Sequence, residues 1–191
     1  MKDTINILDL CESGTNVLGP GKRYVIWVQG CPFNCEKCTT PEGIPIRLNK
    51  LTPIKSIVES ILNNHEIEGI TISGGEPFLQ ASKLSKLLAD VLQIKPELSV
   101  LVFTGYTYKR LDWAKAKDFL RYIDVLIDGQ YIDKLNNGKE LKGSSNQKII
   151  FLTDKLRDEE DYFYTKGRNL EVIVEASSQT IIGIPSRQLN H

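Results

Sequence analysis

Long apolar runs are missing from this chain of 191 residues. No stretch approaches the roughly 20 apolar residues that a membrane-spanning helix needs, so no membrane partner is expected. The opening residues Met1-Lys2-Asp3-Thr4-Ile5-Asn6 lack the apolar core of a signal peptide. The expectation is a cytoplasmic protein, in a compartment where thiols stay reduced and free to bind metal. Excess charge is missing as well: 24 Lys and Arg balance 24 Asp and Glu. That balance offers no global basic field for a nucleic acid backbone, so no nucleic acid partner is indicated; a local basic patch stays open. Histidine is scarce, and His65 and His191 form no ligand pair in sequence. Cysteine is scarce too, with only four. A structural zinc site built from two ligand pairs lacks its second pair here. What remains is an ordinary globular composition, 41% hydrophobic and 25% charged, in a length that suits one domain with a real core.

Against that sparse background, three cysteines crowd into Cys31-Pro32-Phe33-Asn34-Cys35-Glu36-Lys37-Cys38. A four-iron, four-sulfur cluster has four iron corners, each taking a thiolate. The spacing predicts Cys31, Cys35 and Cys38 as ligands of such a cluster, with one iron left free to bind something else. An open coordination position marks a metal site that does chemistry. Two plainer readings compete: an electron-transfer ferredoxin that recruits Cys11 as its fourth ligand, and a disulfide with a spare thiol. Cys11 stands alone upstream and reads better as a small buried thiol.

The rest of the chain alternates strand and helix. Thr4 to Leu10 and Arg23 to Gln29 read as strands, and the cysteine loop follows the second directly. Thr52-Pro53 predicts a helix start, with Thr52 as N-cap and Pro53 at the first helical position. Ile54, Ile57, Val58, Ile61 and Leu62 form its apolar face. Strands over 67–73, 98–103 and 124–127 alternate with helical stripes, first Leu84, Leu87, Leu88, Val91 and Leu92, then 108–120. Beyond Gly129 come a turn-rich segment, a strand over 148–152, a charged stretch over 153–169 and a hairpin of 170–174 with 180–184. Such alternation implies right-handed βαβ units and a mainly parallel sheet. Ligands bind beyond the carboxyl ends of such strands. The cysteine loop, Gly74-Gly75-Glu76, Thr104-Gly105-Tyr106 and Asp128-Gly129 all fall there.

In that order the motifs resemble the radical S-adenosylmethionine (radical SAM) enzymes, through Cys31-x3-Cys35-x2-Cys38 and Ser73-Gly74-Gly75-Glu76-Pro77. Within them the chain is similar to the small activating proteins of anaerobic ribonucleotide reductase and related glycyl-radical activases. Gly19-Pro20-Gly21-Lys22-Arg23, Gln29-Gly30-Cys31-Pro32, Thr104-Gly105-Tyr106, Asp128-Gly129 and Gly143-Ser144-Ser145-Asn146-Gln147 carry that likeness, over roughly residues 15–150. The resemblance implies an incomplete (β/α) barrel; together with the hairpin read above, the expectation is a single domain over 1–191 with 153–191 packed on it as an extension. It implies a 4Fe-4S cluster and S-adenosylmethionine as cofactors. The free iron would take the amino and carboxylate groups of S-adenosylmethionine, and reductive cleavage would yield a 5′-deoxyadenosyl radical. The implied reaction is hydrogen abstraction from a glycine of a partner enzyme, with a flavodoxin- or ferredoxin-type reductant. A radical SAM reaction on a peptide, small metabolite or RNA is the alternative, and a non-enzymatic iron–sulfur or zinc module a third reading.

The resemblance also assigns residues. Gly74 and Gly75 would let the backbone approach the methionine part, and Glu76 would accept from its ammonium, directly or through the strand end. Thr104 and Asp128 lie where the family gathers ribose, carboxylate or a cation, although Asp128-Gly129 also reads as an ordinary turn. Phe103 stands where some activases carry an acidic residue, which leaves a cation site without that ligand. Asn146 and Gln147 would read adenine or hold substrate backbone through their amides. Lys37 replaces the aromatic residue that many radical SAM proteins place before the last cysteine. Its side chain cannot stack, so backbone groups of Lys37, Cys38 and Thr39 are the expected adenosine contacts. Trp27 and Trp113 are expected to pack, and Tyr106 either borders the mouth of the site or packs in its loop.

Overall fold

The computed structural model describes residues 3–165, 168–174 and 179–185. Of the 153–191 segment, residues 166–167, 175–178 and 186–191, His191 among them, lie outside the described residues.

Among the described residues, nine strands and four α-helices follow one another as β1 (Thr4–Thr15), β2 (Arg23–Val28), β3 (Lys50–Pro53), α1 (Ile54–Asn63), β4 (Gly69–Gly74), α2 (Ala81–Leu92), β5 (Ser99–Phe103), α3 (Ala114–Leu120), β6 (Val125–Asp128), β7 (Lys148–Phe151), α4 (Glu160–Tyr164), β8 (Leu170–Val174) and β9 (Gln179–Gly183). Seven strands form one sheet in the order β3-β1-β2-β4-β5-β6-β7, and β8 and β9 form a separate hairpin. The middle four, β2, β4, β5 and β6, run parallel; β1, β3 and β7 add antiparallel pairings at the flanks. The expected mixed α/β fold, with a parallel core and a closing antiparallel hairpin, is what forms.

The apolar runs of the middle strands follow from cover on both faces. Register puts Ile26 beside Ile72, Ile72 beside Val102 and Val102 beside Leu126. That row faces the helices, where Ile57, Ile61, Leu84, Leu88, Val91 and Phe119 complete one core. The alternate row, Val25, Leu101, Val125 and Ile127, faces the other way, into a smaller core closed by Leu156, Phe163, Ile182 and Ile184. The C-terminal segment therefore covers the inner face of the sheet. Trp27, Ser73 and Phe103 extend this inner row toward the carboxyl ends of their strands.

At the opposite end of the inner face sits Arg23, fully buried. Its guanidinium donates to Thr71 Oγ1 (2.7 Å), Pro20 O (2.9 Å), Ser99 Oγ (2.9 Å), Ile70 O (2.9 Å) and Ser99 O (3.0 Å). Burial lowers its pKa to about 10. A planar five-donor fork on β2 matches acceptors on the two neighbouring strands, β4 and β5, and on the preceding loop, which a lysine could not span.

Two local expectations need correction. Thr52 and Pro53 close the edge strand β3, where they pair with Ile5 and Thr4, so the helix opens one residue later than expected. Thr52 supplies no cap because its backbone is spent on that pairing; instead Ile54 N donates to Asp3 O at 2.9 Å. The 108–120 segment is not one helix either. A 3-10 turn at Tyr108–Arg110 precedes α3, and Leu111 between them turns into the core. Asp128 accepts from Tyr108 N at 2.6 Å and fixes that turn.

Arg23→Ala is expected to destabilise the metal-free protein by at least about 3 kcal/mol in urea unfolding, because several buried acceptors lose their donors together. Arg23→Lys should recover less than half of that loss; full recovery by lysine would mean that charge, rather than the fork, matters.

Candidate metal centre at the strand ends

The cysteine loop is seated by backbone. Gly30 N donates to Gly43 O (2.8 Å) and Cys31 N to Ile44 O (3.0 Å), so the chain leaves β2, carries the cysteines and returns to its own start. Gln29 Nε2 holds the returning strand through Glu42 O (3.1 Å) and Pro45 O (2.7 Å). The end of β4 presses in beneath: Gly75 N donates to Val28 O (2.7 Å) and Glu76 N to Gly30 O (2.8 Å). A Cβ on Gly75 would stand 2.8 Å from Gly43 O and collide with Gly30 O. Glycine at this position is required by the chain's own backbone, before any ligand is considered.

Within the loop, Asn34 and Lys37 take positive φ values of 46° and 51°. Both lie between the cysteines and turn the chain so that all three thiols border one pocket. Phe33 pins the loop to the next strand. Its ring meets Tyr106 edge-on at 4.8 Å, and Tyr106 in turn meets Trp113 at 5.4 Å. The ring also packs against Gly105, where a Cβ would fall 2.6 Å from Phe33 Cε2.

Glu76 is buried and works as a strap between β4 and β5. One carboxylate oxygen accepts from Phe78 N (2.9 Å) and Thr104 Oγ1 (2.8 Å), the other from Gly105 N (2.8 Å). Burial pushes its pKa up to about 7, with the three donors pulling in the opposite direction. Burial likewise raises the Cys31 thiol to about 11 and moves the Cys38 thiol upward. Without metal, the Cys31 and Cys38 thiols are therefore held protonated at neutral pH, and metal loading must release their protons.

The pocket that these parts surround has a volume of about 460 Å³. Of the residues expected at a site, Cys31, Cys35, Cys38, Thr39, Gly74, Gly75, Glu76, Thr104 and Gln147 line it. The others have different neighbours. Lys37 reaches Asp133 at 3.6 Å, Asp128 holds the Tyr108 turn, and Asn146 Nδ2 donates to Gln130 O at 2.8 Å. Gln147 lines the pocket with its amide already engaged by Ser144 N and Gly129 O. Trp27, expected only to pack, is part of the wall, as are Ser73, Phe103 and Tyr131 and the run Thr180 to Ile184. The strand register could have revealed Trp27 and Phe103, since both continue the inward row; the 180–184 run carries no local signal. Cys11 borders the smaller core, and burial raises its pKa.

The donor set can be tested against a metal. Among the described residues, no group of three or more His, Cys, Asp or Glu converges on a single-ion position. The three cysteines are free, half-buried, and border one space. Thiolates on different irons of one cluster fit that arrangement better than ligands of one zinc ion. A family model described as a 4Fe-4S single cluster domain matches residues 17–150.

The chain belongs to that family.

Curated relatives extend the match. The anaerobic ribonucleoside-triphosphate reductase-activating protein of Enterobacteria phage T4 is 34% identical over 142 residues, covering 72% of this chain and 89% of the relative. The protein of the same name from Vibrio cholerae is 33% identical over 141 residues, covering 70% and 90%. That from Escherichia coli K12 is 32% identical over 146 residues, covering 71% and 92%. The stretch matched by the 4Fe-4S family model takes in the cysteine loop, the β4 and β5 ends and Gln147, and stops before α4 and the hairpin.

Two outcomes follow from this geometry. Gly105→Ala is expected to cost about 1–3 kcal/mol and to lower iron content after reconstitution, through overpacking against Phe33. In a Phe33→Ala background the same change should cost under about 0.5 kcal/mol, and equal costs in both backgrounds would remove Phe33 as the peg. Glu76 binds its proton more tightly folded than unfolded, so its contribution to stability is present below the ordinary carboxylate range and lost as pH rises through about 7. Urea unfolding of the metal-free protein should weaken over that window, and Glu76→Gln should flatten the decline.

Proposed function

We propose that this chain is a radical SAM activase, which generates a glycyl radical on an anaerobic ribonucleoside-triphosphate reductase. One observation carries the reading: three free thiols, and no fourth, border the pocket at the carboxyl ends of the parallel strands. Family membership and the names of the relatives support it. Cys31, Cys35 and Cys38 would hold a 4Fe-4S cluster through three of its irons, leaving the fourth for S-adenosylmethionine. When bound, this pair supplies one-electron reductive cleavage of a carbon–sulfur bond and, with it, a hydrogen-abstracting species. A flavodoxin- or ferredoxin-type protein supplies the electron, and the cytoplasm keeps the thiols reduced.

The chain's own residues do the rest. Glu76 and Thr104 lock two strand ends at fixed spacing, so the wall opposite the cysteines does not drift. Trp27 and Phe103 make the inner wall apolar and exclude water. Gly74 and Gly75 remove side chains from the cofactor-facing end of β4. Thr39 and the backbone beside Cys38 remain available to adenosine, because the Lys37 side chain is drawn away to Asp133. We read the sheet as an incomplete (β/α) barrel forming one domain, with 153–191 as an extension covering its inner face.

The test is anaerobic. Reconstituted protein with reductant and S-adenosylmethionine should cleave the cofactor and raise a glycyl-radical EPR doublet on the cognate reductase. Cys35→Ala should lose the cluster and reduce both signals at least a hundredfold. Cleavage without a doublet on the reductase would shift the reading to another radical SAM substrate.

A further inference from the structure

Thr180, Ile181, Ile182, Gly183 and Ile184 all line the pocket. Successive side chains of a strand point to opposite faces, so a strand lying flat on a pocket would contribute alternate residues. A consecutive run is what a strand contributes when its backbone edge faces the pocket. β8 contributes nothing to the pocket and is the one strand bonded to β9 among the described residues. Outside the β8–β9 ladder, no backbone hydrogen bond of the described residues involves residues 180–184. The outward N–H and C=O groups of β9 on the pocket side therefore have no ladder partner among the described residues.

This edge is fixed and unguarded. Ile182 and Ile184 are buried in the smaller core and anchor the strand, while Thr15 Oγ1 and Asn16 N hold Glu171 on β8. Natural edge strands are usually blunted by charge, proline or a bulge. Gln179-Thr180-Ile181-Ile182-Gly183 has no charge and no proline, and its register to β8 is unbroken. The outer face of the hairpin is apolar, with Val172 and Ile181 directly opposed and 55% and 68% exposed. The hairpin also lies beyond the stretch matched by the family model, whereas the residues around the cysteines lie within it.

We propose that the free edge of β9 is the docking strand for the reductase: an extended segment carrying the target glycine adds to it by backbone hydrogen bonds. This rests on the activase reading above. Pairing by main chain suits a glycine target, because recognition then needs no side chain at the reacting residue. In an extended strand, glycine holds a Cα hydrogen where a side chain would stand, perpendicular to the ribbon, so one hydrogen is presented free of steric cover.

The experiment uses the reconstituted protein with S-adenosylmethionine, the intact cognate reductase, and a synthetic peptide of about a dozen residues spanning its radical glycine. Hydrogen–deuterium exchange should show amides within residues 179–184 slowed at least tenfold on adding the reductase. Peptides N-methylated one position at a time should lose affinity tenfold or more at every second position, the signature of strand pairing. Protection confined to the cysteine loop, or an N-methyl profile without that alternation, overturns the docking strand. Glycyl-radical EPR on the same samples separates the two readings. A doublet without protection at 179–184 sinks the edge and leaves the activase standing. Neither doublet nor protection removes both.

Discussion

Everything at the cysteine end depends on one backbone-on-backbone contact, the meeting of Gly75 with Gly30 and Gly43. The loop that carries the thiols has little core of its own; Ile46 and Leu48 on its return are largely exposed. Its position comes from carbonyls and amides, with Gly30 bonded to Gly43 and Glu76 bonded to Gly30. Those bonds form only if three chain segments approach with no Cβ between two of them. A side chain at Gly75 would lift β4 off the loop and separate the cysteines from the strand end. The contact thus joins a local requirement, the absence of one carbon atom, to the shape of the whole pocket.

Two buried ionisable side chains sit at opposite ends of the inner face and solve the same problem in opposite ways. Arg23 is surrounded by neutral acceptors, Glu76 by neutral donors. Neither has a salt-bridge partner among the described residues. A buried charge stabilised by dipoles fixes directions as well as distances, since each hydrogen bond is angular. Arg23 therefore ties the amino ends of β2, β4 and β5 together, and Glu76 ties the carboxyl ends of β4 and β5. Between the two clamps, the apolar rows set the spacing of the strands. The arrangement gives the inner wall a fixed shape without relying on flexible surface ion pairs.

The sequence was most legible where one residue type has one physical use. Apolar runs flanked by turns announced the parallel strands, and three close cysteines announced an iron–sulfur loop. Legibility failed where a residue has several uses and tertiary contact chooses among them. Thr52-Pro53 carries a valid helix-start signal, yet pairing with β1 claims Thr52 for an edge strand. Tyr108 to Leu120 has enough helical character for one helix, but Leu111 must enter the core and Asp128 holds the turn before it. Gly74-Gly75 reads in the sequence as room for a ligand, and the structure gives a prior reason in the chain's own packing. Phe33 and Gly105 form a complementary pair 72 positions apart, which no local window reveals. The wall built by 180–184 was illegible for the same reason: an isolated strand gives no sign of which edge it will turn, or toward what.

That last wall bears on how a small fold can handle a reactive species. An open sheet leaves its inner face exposed to solvent, and β7 ends the main sheet without closing a ring. Here the chain covers the lower part of that face with Leu156, Phe163, Ile182 and Ile184 and leaves the part beside the cysteines open. Closing the upper part as well with the chain's own side chains would exclude water permanently, but it would exclude a protein substrate too. A strand edge resolves the conflict. It presents hydrogen-bonding groups that favour being covered, and covering them by a partner strand removes water only when substrate is in place. On this argument the exposed edge is a gate whose closing element belongs to the substrate.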